Sequence, residues 1–149
     1  MTRVVLDTSV LVGGMDRKDS QHARAVALLA ALDEAAVEIL LLDFVVIECI
    51  GVMCRRRAER RRPAALPDLN THFPAAAITN AYALLAGSWN EILDVVMRSQ
   101  GALNAHDALL LAFARREQVG FIATFDEDLA GHGVDVIDKP DDVPVMGTP

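Results

Sequence analysis

Two kinds of apolar run alternate along this chain: short ones built from branched residues, and longer ones interrupted at helical intervals. Val4-Val5-Leu6 is the first short run, and 3–6 reads as a buried strand because its branched residues stop at an aspartate rather than adopting a helical period. Asp7 is then expected at the carboxyl end of that strand. Gly13-Gly14 is expected to break regular structure. Beyond it, Ala25, Leu28, Leu29 and Leu32 recur at helical spacing, which predicts a helix over 20–33 capped by Ser20. A second buried strand is predicted over 37–42, and Asp43 is placed to cap a helix running from about Phe44 into an arginine-rich stretch. Glu48 falls more than one turn inside that helix.

Pro63, Pro67 and Pro74 make 62–74 the least regular interior segment, and an exposed loop is expected there. Helices over 75–85 and 90–99 follow, separated by Gly87-Ser88. Asn104 is positioned to cap a helix from 105 to about 118, with Ala108, Leu111, Ala112 and Ala114 on its apolar face and Gly120 at its end. Residues 121–124 and 134–137 read as third and fourth buried strands. Asp138-Lys139-Pro140 then opens a polar tail over 138–149. Strands alternating with helices imply an α/β fold of three layers, α/β/α, around a central, mostly parallel sheet. In such folds the functional crevice lies beyond the carboxyl ends of the strands.

With 149 residues, 52% of them hydrophobic, the chain is expected to form one domain over 1–149 with a substantial core. No apolar stretch approaches the roughly 20 residues of a membrane span. The N-terminus runs straight into a strand, so a cytoplasmic protein is expected. Cys49 and Cys54, on one helical segment, have neither metal-ligand spacing nor the pattern of a disulfide framework, and both read as packing thiols. A net charge of −7 argues against a nucleic-acid partner until its distribution is considered. Six of the twelve arginines lie between 55 and 62. They form either a solvated helix end or a phosphate-binding patch.

Four acids carry the candidate chemistry. Asp7 and Asp126 directly follow strands, Asp107 lies in the first turn of a helix, and Glu48 is flanked by Val45, Val46, Ile47, Cys49 and Ile50. Each has an ordinary reading. Asp107 completes a capping box with Asn104; Asp126 and Asp128 form a turn; Asp7 caps a short helix; Glu48 points to solvent. A buried Glu48 would be costly without a partner. The joint placement of all four at the edge of one core is what points to a cation site.

The same residues carry a resemblance. The opening strand with Asp7-Thr8-Ser9-Val10-Leu11-Val12, a helical Glu48, Leu103-Asn104-Ala105-His106-Asp107-Ala108-Leu109, and Thr124-Phe125-Asp126-Glu127-Asp128-Leu129 occur in the order found in one family. The chain resembles the PIN-domain ribonucleases that act as toxins of type II toxin–antitoxin pairs, the VapC type, over essentially its whole length. That resemblance implies a metal-dependent endoribonuclease leaving a 5′-phosphate and a 3′-hydroxyl. It also implies an antitoxin partner and a homodimer. It makes Asp7, Glu48, Asp107 and Asp126 the catalytic and metal-binding quartet, with Thr8, Ser9, Thr124 and Asp128 at supporting positions. An all-oxygen ligand set suits Mg²⁺ or Mn²⁺. Arg55, Arg56 and Arg60 are then the candidates to grip the RNA backbone, and the arginine block is also where an acidic antitoxin segment would dock.

Other classes fit less of the chain. A receiver-type phosphoacceptor domain would explain Lys139-Pro140, but Asp7 lacks the adjacent acid that domain carries. A haloacid-dehalogenase-type phosphatase needs an aspartate where Ser9 stands. A catalytically silent PIN-like binding module shares every motif and differs only in activity.

Overall fold

The structure is a computed structural model that describes residues 1–60 and 68–144. Much of the loop expected over 62–74 and the end of the tail expected over 138–149 lie outside the described residues.

Five strands form one parallel sheet: β1 (Arg3–Leu6), β2 (Glu38–Leu42), β3 (Ile78–Thr79), β4 (Phe121–Ala123) and β5 (Asp135–Ile137), in the order β3-β2-β1-β4-β5. Val4 pairs with Ile39 on one side and Phe121 on the other, so β1 is the central strand. Its Val4 and Val5 are fully buried, as a strand covered on both faces requires. The chain steps outward from β1 through β2 to β3, then returns to lay β4 against the opposite side of β1. With right-handed crossovers, this reversal places α1 (Thr8–Met15), α2 (His22–Glu34) and α3 (Asp43–Glu59) on one face, and α5 (Leu85–Arg98) and α6 (Ala105–Arg116) on the other. The packing of α1 on both α2 and α3, and of α5 on α6, agrees with that division. A short α4 (Leu69–His72) lies between α3 and β3. The three-layer α/β/α expectation is met. The reversal between β1 and β4 opens a crevice at their carboxyl ends, where Asp7 and Asp126 emerge.

The seven consecutive residues from Ala108 to Ala114 are all buried. A helix apolar on every side belongs inside the molecule, and α6 therefore holds a half-buried Asp107 rigidly in its first turn.

Several local expectations are corrected. Gly13-Gly14 does not break the chain, because α1 continues through it. A Cβ at Gly13 would lie 2.9 Å from the Cβ of Ala25, so this glycine permits close approach of α1 and α2. Ser20 does not cap α2; the N-cap is Gln21, without a side-chain bond. The helix expected over 75–85 is instead two 3-10 turns around the two-residue β3, a strand too short to show alternation. Gly87-Ser88 is no interruption, since α5 runs through it. Gly120 does not terminate α6; Gln118 takes the left-handed conformation at φ 54°, and Val119 N–H returns to the Ala114 carbonyl at 2.8 Å. Cys49 is a packing thiol, its pKa pushed up to about 12 by burial and by the nearby Glu48 charge, whereas Cys54 is exposed.

Candidate active site

Each of the four acids is brought to the crevice by a different local device. Asp7 leaves β1 in extended conformation and N-caps α1, its N–H bonded to the Ala123 carbonyl on β4 at 3.0 Å. Asp126 leaves the turn after β4, where its carboxylate accepts the Asp128 N–H at 3.0 Å. Asp107 completes a capping box, accepting the Asn104 N–H at 2.8 Å while Asn104 Oδ1 accepts the N–H groups of His106 and Asp107. Glu48 projects from α3. The capping readings of Asp7 and Asp107 are thus correct, and they coexist with the convergent one. The cap fixes the backbone and leaves part of the carboxylate turned to the cavity.

The four carboxylates line one cavity of about 430 Å³, together with Thr8, Ser9, Asn104, Phe125, Arg55 and Arg56 among others. Hydroxyls hold them in place. Ser9 Oγ donates to Asp7 Oδ2 at 2.7 Å and Thr124 Oγ1 donates to the same oxygen at 2.8 Å. Thr124, fully buried, also accepts the Asp126 N–H at 2.9 Å, so a single hydroxyl ties two of the acids together. Ser9 Oγ accepts the Phe125 N–H at 3.0 Å, which stitches α1 to the turn after β4. On the opposite wall, Thr8 Oγ1 donates to Glu48 Oε2 at 2.9 Å, and His106 Nδ1 stands 3.3 Å from that oxygen. Glu48 is 34% exposed, neither lost in the core nor on an open stripe.

Burial and like charge act together on one of these acids. The Asp107 carboxyl is pushed up to about 6, chiefly by burial and further by the charges of Asp7, Asp126 and Glu48; the Asn104 N–H opposes the shift. Among the described residues, no three His, Cys, Asp or Glu side chains are already drawn closely enough together to hold a metal ion.

Residues 4–133 match the family described as the PIN domain. The chain belongs to the PIN domain family. No curated protein sequence matches it. Among solved structures, Mycobacterium tuberculosis VapC20, a toxin that cleaves the sarcin-ricin loop, superposes with a TM-score of 0.67 at 17% identity. That match covers 91% of this chain and 98% of VapC20. At such identity the likeness establishes a shared fold, which is the α/β arrangement described above.

Within this PIN domain, the supporting residues divide by how they act. Thr8, Ser9 and Thr124 use their hydroxyls on the acids, whereas Asp128 supplies its backbone N–H to Asp126 and is itself exposed. The arginine block divides too. Arg55 is exposed and lines the cavity. Arg56 also lines it but is held by Asp16 at 2.9 Å and Asp19 at 2.6 Å. Arg60 grips Asp16 through both of its terminal nitrogens and is not among the cavity's lining residues. The Arg60 guanidinium, together with Arg56, holds the Asp16 carboxyl well below the usual carboxylate range, so this cluster stays charged and clamps α3 against the turn leading into α2. Sequence reasoning passed over Asp16 and Asp19. His106 adjoins Asp107 in sequence but is assigned no catalytic role on that ground, because successive helical residues diverge by about 100°. Its place beside Glu48 depends on the approach of α6 to α3.

Proposed function

We propose that this PIN domain is an endoribonuclease dependent on Mg²⁺ or Mn²⁺, and the toxin of a toxin–antitoxin pair. The observation that carries the reading is the convergence of Asp7, Glu48, Asp107 and Asp126, from four separate elements, on one cavity at the carboxyl ends of β1 and β4. The donor set fits a hard divalent cation. Mg²⁺ retains several waters and needs only one or two carboxylates directly, and four around a cavity offer that while gaining relief from their mutual repulsion.

Asp7 and Asp126 would hold the ion directly and Asp107 would complete the set, with Glu48 either joining them or orienting the attacking water. When bound, the ion supplies Lewis acidity that activates water and stabilises the departing oxygen of a phosphodiester. The chain's own residues supply order. Ser9 and Thr124 fix one oxygen of Asp7, and Thr8 fixes one oxygen of Glu48, beside which His106 stands, which leaves the second oxygen of each free of those contacts. Arg55, and Arg56 beyond its acidic partners, face the substrate backbone, so RNA affinity falls as salt rises. VapC20, similar in fold, is a toxin, which supports the toxin part of the reading. It also recommends a ribosomal hairpin as one trial substrate. Among the described residues no helix is long and apolar enough to cross a membrane.

The test incubates purified protein with a structured RNA pool in Mg²⁺, Mn²⁺ or chelator, beside an Asp7→Asn/Asp126→Asn double variant. Cleavage that needs the metal and disappears in the variant is expected. Equal behaviour of wild type and variant under every metal would refute a catalytic quartet.

A further inference from the structure

Beside Glu48, outside the residues that line the cavity, the surface changes character from charged to apolar. Phe44, Ile47 and Glu48 stand at i, i+3 and i+4 on α3 and so share one side of that helix. Phe44 is fully buried, but its neighbours are not: Ile47 is 57% exposed and Tyr82 37% exposed. The Tyr82 ring meets Phe44 edge-on with centroids 5.8 Å apart, and the His106 ring lies 5.8 Å from Phe44 at a tilt of 30°. His106 is 42% exposed and reaches Glu48. Tyr82 is not left loose. Asp43 accepts its N–H at 3.1 Å and the Ala81 N–H at 3.0 Å, which fixes the turn carrying the ring. A ring ordered in advance loses little entropy when something stacks on it.

Further along α3 the same side of the helix continues through Val52 to Arg55 and Arg56, all lining the acidic cavity. The helix therefore carries buried Phe44 with the Tyr82 and His106 rings beside it and exposed Ile47, then the acid, then cations, over roughly 16 Å at the α-helical rise. Cations that follow a backbone beside rings that take bases are the pattern of proteins that bind single-stranded nucleic acid.

We propose that Tyr82, Ile47 and His106, seated around Phe44, form a stacking subsite for an unpaired base next to the cleaved phosphate. The substrate strand then runs along α3 with that base turned out of its own stack. This inference rests on the ribonuclease reading above.

The test uses protein carrying Asp126→Asn, in chelator so that nothing is cut, and short single-stranded oligoribonucleotides with one 2-aminopurine moved along the sequence. Stacking quenches that base. At one position, binding should quench strongly. Tyr82→Leu, which keeps apolar bulk and removes the ring, should abolish the quench and weaken binding about tenfold. Tyr82→Phe should restore both, and Ile47→Ser, at an exposed position, should weaken binding while the protein stays folded. Wild-type affinity and quenching in Tyr82→Leu would overturn the subsite and leave the nuclease standing. So would unchanged RNA binding with altered self-association, which would make the shelf a protein contact. Cleavage that survives Asp7→Asn/Asp126→Asn would instead overturn the active-site reading and the subsite with it.

Discussion

Replacing Thr124 with valine removes one hydroxyl and conserves the shape of the side chain. The consequences follow from its two bonds. Its Oγ1 donates to Asp7 Oδ2 at 2.8 Å and accepts the Asp126 N–H at 2.9 Å, in a residue with no exposed surface. Valine leaves the Asp126 amide without that acceptor, at a cost of about 1–3 kcal/mol, and removes a hydrogen bond to a charged carboxylate, about 1.5–3 kcal/mol. Ser9 Oγ remains on the same Asp7 oxygen at 2.7 Å and offsets part of the second loss. A net destabilisation of about 3 kcal/mol is expected, which lowers the melting temperature by roughly 6–12 °C in a chain of this size. Thr124→Ser keeps the hydroxyl and loses one methyl, so it should cost only about 1 kcal/mol. The assay is thermal and urea unfolding followed by circular dichroism in chelator, with an unchanged urea slope confirming that the unfolded states are comparable. Cleavage of the RNA pool should fall roughly 10–100-fold in the valine variant, as for groups that orient metal-binding carboxylates, and should largely survive in the serine variant. If valine and serine variants unfold together, the hydroxyl is not holding Asp7 and Asp126, and the account of how the site is ordered is wrong.

Other expectations follow from charge and close contact. The raised Asp107 pKa means that the folded protein holds this proton more tightly than the unfolded chain. Between the ordinary value of 3.8 and about 6 the native state binds more protons, so the Asp107 contribution to stability falls as pH rises through that window. In chelator, Asp107→Asn should therefore gain stability relative to wild type as pH rises from 4 to 7, a trend read from paired melting curves and contradicted by parallel profiles. Two glycines should respond in opposite directions. Gly13→Ala places a methyl 2.9 Å from the Ala25 Cβ and should destabilise by about 1–3 kcal/mol, whereas Gly51→Ala, with nothing within 4 Å, should stabilise α3 by up to about 1 kcal/mol. Equal shifts in urea midpoint would show that the α1–α2 contact relaxes freely.

What was legible in the sequence was the part governed by local physics. Branched runs such as Val4-Val5-Leu6 marked strands because only a doubly covered strand needs them, and Asn104 marked the start of α6 because its side chain bonds the first turn. Asp7 and Asp126 could be placed at the crevice because a parallel sheet dictates which strand ends meet there. Errors fell where local signals compete with packing. Gly13-Gly14 and Gly87-Ser88 resembled breaks, yet both sit inside helices, Gly13 where α1 must approach α2. Residues 75–85 had helical composition, but β3 pairs with β2 through two residues that carry no periodic signal.

The sequence by itself determined β1, β2, β4 and β5, the helices α2, α3 and α6, and the order in which they are joined, since propensity, capping and alternation act over a few neighbouring residues. Tertiary structure alone decided what meets at the site and around it: the Thr124 hydroxyl on Asp7, His106 beside Glu48, Arg56 and Arg60 on Asp16, and Tyr82 against Phe44. These partners lie far apart in the chain. Hydrogen bonds and ring contacts act over only a few ångströms, so which groups meet depends on how α3, α6 and the strand ends pack around β1.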